Sequence, residues 1–231
     1  MCRSPLLLLL VTLASTSAAA QSEDAGYEEE EQPQTELDGT SRLSVQTGWR
    51  YTPNTRFYDN YYSDVDNRGL QRSRGAIGGP LLTGTFAYSI TNLVELGIDL
   101  FATYERMQLT GQPGLNAVTY GALLGLRFQH RFDIGPHGLV PSVGLLLGPL
   151  LAAAYFDGGF AVENYTQAIG ATVGATLGLT PKWGLRVEYR LLAAKGTAED
   201  VGLYEAGGNW FSVGFNYTFP SEPDRPMGRN F

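Results

Sequence analysis

The chain has 231 residues, is 43% hydrophobic and only 17% charged, and carries a net charge of −7 with one cysteine, Cys2. A disulfide-held scaffold, a thiolate catalyst and a cysteine metal site are therefore excluded from everything after that position. Twenty-nine glycines, with abundant aromatic residues and threonine, favour strands and turns over helices.

Residues 1–20 read as a secretory signal: Arg3, an apolar run from Leu6 to Leu13, then Ala18-Ala19-Ala20 before Gln21. The run is shorter than the ~20 residues a membrane-spanning helix needs. Cys2 falls at the second residue of this segment, the wrong place for a lipid-modified cysteine. Residues 21–40 follow as an acidic linker, with Glu23, Asp24, Glu28, Glu29, Glu30, Glu31, Glu36 and Asp38 and no base. Such a block is expected to be solvated and disordered, since it has too few apolar groups to offset ordering entropy. From Thr40 onward fifteen acids meet fifteen bases, so the net charge belongs to the linker and not to the domain.

Eight segments of alternating residues then span 41–219. The first, Arg42–Tyr51, shows Leu43, Val45, Thr47, Trp49 and Tyr51 on one face. Leu82–Ile90 and Leu93–Tyr104 follow, joined by the short turn Thr91-Asn92. The fourth, Ala117–Phe128, presents Val118, Tyr120, Ala122, Leu124, Leu126 and Phe128. The fifth, Ser142–Leu150, has Pro141 just before it and Pro149 as its penultimate residue, both expected at strand ends because proline lacks the ladder donor. Gln167–Leu179, Trp183–Leu191 and Asn209–Phe219 complete the set. Long connections (52–81, 105–116, 151–166, 192–208) alternate with shorter ones (91–92, 129–141, 180–182).

Later in the chain no run is long and apolar enough for a transmembrane helix, and only a closed barrel satisfies its backbone in lipid without one. Strands of about 9–12 residues match the ~9–11 that cross hydrocarbon at a tilt. The expectation is an all-β, eight-stranded antiparallel up-and-down transmembrane barrel, its greasy face outward. Trp49, Tyr51, Tyr88, Tyr104, Phe128, Trp183, Tyr189, Tyr217 and Phe219 lie near strand ends, where two interfacial girdles belong.

The opposite faces carry Arg42, Gln46, Arg50, Glu95, Asp99, Arg127, Arg186, Glu188 and Arg190, with glycines between them. Eight strands enclose only enough room for side chains. Pairing strands three and four around their loop sets Glu95 opposite Arg127, and Glu188 shares a face with Arg186 and Arg190. The candidate interior site is thus an ion-pair network of Glu95, Asp99, Arg127, Arg186, Glu188 and Arg190 that fills the lumen. A narrow ion path is its functional alternative.

Few residues suggest catalysis. His130 and His137 share one short connection, and no nucleophile elbow, phosphate loop or zinc spacing is present. Asp64, Asp66 and Gly69 partly match a calcium loop whose final bidentate acid is missing. No enzymatic activity, cofactor or metal is expected.

The chain resembles the small eight-stranded outer-membrane β-barrel proteins of the OmpA/OmpX type across roughly residues 41–219. The most specific element is Ser212-Val213-Gly214-Phe215-Asn216-Tyr217-Thr218-Phe219, a polar-x-Gly-x-x-aromatic-x-aromatic ending. The resemblance implies that the barrel-assembly machinery reads Ser212, Gly214, Tyr217 and Phe219. The family usually ends at that aromatic, whereas here a tail, 220–231, follows with Pro220, Pro223 and Pro226. The implied setting is the outer membrane of a Gram-negative bacterium, with both termini periplasmic. Implied partners are outer-membrane lipid, the assembly machinery and an extracellular ligand at the long loops, with no nucleic acid and a monomeric state. The expected role is structural or surface-interacting. Alternatives are a narrow transporter or channel for small or hydrophobic solutes, or a soluble secreted ligand-binding barrel.

Overall fold

The structure, a computed structural model, describes residues 37–72, 78–134, 137–198 and 202–220. Residues 1–36, which include the expected signal segment and most of the expected acidic linker, and residues 221–231 lie outside the described residues. Among those described, the elements are β1 (Thr40–Tyr51), α1 (Thr55–Ser63), β2 (Gly79–Ser89), β3 (Val94–Met107), β4 (Leu115–Gln129) and β5 (Phe132–Ile134). They continue with β6 (His137–Phe156), β7 (Val162–Gly178), β8 (Trp183–Ala193), β9 (Lys195–Ala198), β10 (Gly202–Glu205) and β11 (Gly208–Pro220).

Strand order is β4-β3-β2-β1-β11-β8-β7-β6, and β4 also pairs with β6, so eight antiparallel strands close on themselves. The ring leaves no free edge, which is the condition for a sheet in lipid. β5 continues β4 along the same side of β6, pairing Phe132 with Leu139. The turn end holds the β2–β3, β4–β6 and β7–β8 connections together with Thr40 and Pro220, and the loop end holds the rest.

The facing follows the two-residue period. Leu43, Val45, Leu96, Ile98, Leu100, Leu124, Leu145, Leu147, Ile169, Val173, Leu191 and Phe215 are exposed, while Arg42, Gln46, Glu95, Asp99, Arg127, Arg186, Glu188 and Arg190 are buried. This inverts a water-soluble barrel and removes the reading of a soluble barrel with a greasy hollow. Two rims of outward aromatics bound the apolar band. Trp49, Tyr51, Tyr104 and Tyr189 sit toward the loop end; Tyr88, Phe128 and Trp183 sit at the turn end. There the Trp183 and Tyr217 rings meet edge to face, with centroids 5.0 Å apart.

Three sequence expectations are corrected. Pro141 and Pro149 lie inside β6, not at its ends. Each turns its missing donor toward a gap in the neighbouring ladder. The β4–β6 register has no partner pairs for Ala122-Leu123 against Gly148-Pro149, and Pro141 falls between the end of β4 and the start of β5. A proline fits where nothing asks for its N–H. Secondly, the connection 52–81 contains α1, and 192–208 contains the β9–β10 hairpin. Thirdly, the interior is not polar throughout. Leu81, Phe101, Leu123, Leu146, Leu192 and Trp210 point inward and are buried.

Candidate functional site

The inward positions stack in tiers along the barrel. Nearest the turn end is the charged tier. Glu95 of β3 takes Arg42 of β1 through both oxygens, with Oε1 2.5 Å from Nη2 and Oε2 accepting from Nε at 3.0 Å. Register pairs Glu95 directly with Arg127 of β4. Their charged ends nevertheless stand 3.6 Å apart, because Arg127 donates its shorter contact, 2.5 Å, to Asp99. Asp99 is shared: Arg190, on β8 across the lumen, reaches the same oxygen at 3.1 Å. Glu188 then accepts from Arg190 at 2.5 Å and from Arg186 at 2.7 Å. Arg186 also donates to Thr176 at 3.2 Å, and Thr172 donates to Glu188 at 3.0 Å. One continuous network, from Arg42 to Arg186, thus spans the lumen and joins all six residues singled out from the sequence, with Arg42 added.

Glycine makes the room. Gly97 and Gly125 are cross-strand partners, and a Cβ on Gly97 falls 2.6 Å from Arg127 Nη1. On Gly144 a Cβ meets Arg127 Cγ at 2.9 Å and also the Leu126 carbonyl, which cannot swing aside. Gly144→Ala is therefore expected to destabilise the barrel by about 1–3 kcal/mol through overpacking. The midpoint of urea unfolding in detergent checks this, and an unshifted midpoint contradicts it.

One inward position nearer the loops, the lumen turns apolar. Phe101 follows Asp99 by two residues, Leu192 follows Arg190, and Leu81 and Trp210 lie correspondingly beyond Thr83 and Ser212. Phe101 and Trp210 pack with ring centroids 4.8 Å apart. With Leu123, Leu146 and Leu150 they belong to one apolar cluster that continues up to Phe57, Tyr58 and Tyr61 of α1 and to Tyr204 of β10.

Above this tier a second buried ion pair anchors the cap. Glu105 accepts from Arg50 at 2.5 Å, Thr52 at 2.9 Å and Asn54 at 2.9 Å. Arg50 donates onward to the Ala206 carbonyl at 2.7 Å, and Asn54 Oδ1 accepts from the Glu205 amide at 2.8 Å. Asn54 starts α1 in the left-handed region, φ 46°, which asparagine adopts more readily than most residues. Tyr204 is buried in the cap, and burial pushes its hydroxyl up to about 12. Sequence reasoning missed Glu105 by placing it in a loop. The signal was available, since Glu95, Asp99 and Glu105 all fall on the odd, inward positions of β3.

The other sequence candidates are scattered. Ser212 donates to Gln46 at 3.0 Å inside the lumen, while a Cβ on Gly214 would strike the β1 backbone. Tyr217 and Phe219 lie at the turn-end rim. His130 is exposed there, its ring edge on to Phe132 at 4.7 Å, and His137 opens β6. Asp64 and Asp66 form a turn closed by the Asp66 amide, 3.1 Å from Asp64 Oδ1. Among the described residues no three His, Cys, Asp or Glu side chains gather as metal ligands.

An eight-stranded up-and-down barrel with a greasy wall and a lumen filled by side chains is the architecture of small transmembrane β-barrels. No family model matches the chain. No curated protein matches it either. Among solved structures it is similar to the attachment invasion locus protein Ail of Yersinia pestis, at 13% identity over 79% of this chain and 99% of that one, with a TM-score of 0.46. Neisserial surface protein A is similar at 16% identity, over 79% and 98%, with a TM-score of 0.48. The N-terminal β-barrel domain of Pseudomonas aeruginosa OprF gives 15% identity, 79% and 98%, and 0.44.

Proposed function

We propose that this protein is an integral outer-membrane barrel whose lumen is closed and whose work is done at its loop end, as a structural or surface-interacting protein. A periplasmic position for both termini, a monomeric state and assembly through the Ser212–Phe219 ending belong to the same reading. The observation that carries it is the doubly filled lumen. A charged tier linked from β1 across to β8 lies under an apolar tier, and α1 with the β9–β10 hairpin covers both. Crossing such a barrel would mean breaking paired buried charges and then threading an apolar layer, so transport is disfavoured.

The loop end, by contrast, is built to present surface. β6 and β7, the longest described strands with 20 and 17 residues, raise a tip at which Phe160 is 97% exposed, and β7 runs past β8, whose pairing stops at Ile169. Asp157 at that tip pairs with Arg106 of β3 at 2.6 Å and accepts from the Gly114 amide of the β3–β4 loop at 3.2 Å. Nothing in this arrangement calls for catalysis, and the reading is non-enzymatic.

Two measurements test it. Fractionation of expressing cells is expected to place the protein in the outer membrane; recovery in the soluble fraction overturns the membrane assignment. Purified protein in planar bilayers is expected to give no steady conductance, and a reproducible open level overturns the closed lumen.

A further inference from the structure

We infer that the turn-end mouth of the lumen binds a small monovalent anion of halide size. The charged tier is unbalanced: four guanidiniums (Arg42, Arg127, Arg186 and Arg190) face three carboxylates (Glu95, Asp99 and Glu188). The Arg50–Glu105 pair nearer the loops is balanced in itself and supplies no counter-charge. One positive charge is therefore left inside a low-dielectric barrel, where an uncompensated ion is costly and a counter-ion is correspondingly well held.

A place for that counter-ion exists at one end of the tier. A cavity of about 50 Å³ opens at the turn end, lined by Arg42, Glu95, Gln129, Thr176, Asn216 and Thr218 among others. A single water needs ~10–15 Å³ measured in this way, so a halide with one or two waters fits, whereas a bulky solute does not. One guanidinium donor in its wall is under-used. Among the described residues Arg42 Nη1 has only a 3.5 Å contact with Ser44, and buried Asn216 donates its amide to Thr218 at 3.4 Å while its own carbonyl oxygen has no partner. Glu95 also lines the cavity, but Arg42 occupies both of its oxygens, which screens it from an incoming anion. Arg186 contributes from behind Thr176, to which it donates. The mouth thus combines one end of a tier that carries an excess cation, a guanidinium N–H with a single long contact and a volume of the right size.

The test uses the full chain, refolded in detergent, with bromide as the probe. Thermal unfolding is followed from 10 to 300 mM bromide, with ionic strength held constant by gluconate, which is too large for the cavity. Wild type is expected to gain about 3 °C or more in Tm, as for any ligand that binds only the native state. Arg42→Gln makes the tier neutral and is expected to lose that response. Glu95→Gln leaves two positive charges in excess and is expected to steepen it. Three identical responses overturn the proposal. Should either variant fail to fold, crystals of the wild type grown in bromide decide. An anomalous peak within 3.5 Å of the Arg42 guanidinium is the expected result, and a mouth without one refutes the site.

Discussion

Replacing Asp99 by alanine is expected to cost about 3–5 kcal/mol of stability, the range for stranding a buried charge. Asp99 is fully buried, and it is where the two halves of the network meet: Arg127 from β4 at 2.5 Å and Arg190 from β8 at 3.1 Å. Without it, Arg127 keeps only the 3.6 Å approach to Glu95, and Arg190 keeps only Glu188. Two guanidiniums must then share too few acceptors in a space that admits little water. Glu95→Ala is expected to act in the same direction, because it frees the bidentate partner Arg42. Glu163→Ala is the control. Glu163 is exposed at the loop end of β7, so its replacement is expected to stay within about 0.5 kcal/mol. Urea unfolding of protein refolded into detergent or lipid vesicles gives the comparison. Coincident midpoints for Asp99→Ala and Glu163→Ala would remove the network as a source of stability.

Leu124→Arg probes the other face. Leu124 lies in the middle of β4, is 65% exposed, and is flanked by Ile98 on β3 and Leu147 on β6. In water this exposure would make arginine harmless. On the lipid face near the bilayer midplane it is expected to cost ~2–4 kcal/mol. The same change at Tyr51, on the loop-end rim, should cost about 0–1 kcal/mol, since the guanidinium can reach the headgroups there. The yield of folded, membrane-inserted protein reads out both. If Leu124→Arg assembles as well as wild type, that wall of the barrel does not meet lipid.

Most of the wall could be read from the residues because strand alternation is local. Leu43-Ser44-Val45-Gln46 already states which side chains go out and which go in. The reading failed where contrast was lost. Leu145-Leu146-Leu147 offers no alternation, yet Leu146 alone turns inward to join the apolar tier. Trp210 and Phe101 sit on the inward register of strands where the inward residues next to them are polar or small, so a polar lumen was expected and a layered one formed. The helix α1 was hidden because its aromatic residues fasten it to the cap, and their partners lie elsewhere in the chain. Adjacent-strand register set Glu95 against Arg127. Gly97 and Gly125 then opened a route that let the long side chain lean to Asp99 instead.

By itself the sequence determined that eight strands would close with a greasy outside and a charged inside, since a period of two and the lengths of the segments specify both. Only the tertiary structure decided which charges meet, that four cations share three anions, and that a helix and a hairpin seal the loop end. Those are matters of closure. Arg190 and Asp99 stand 91 positions apart on opposite walls, and only the stagger of a closed ring brings them within reach of one another.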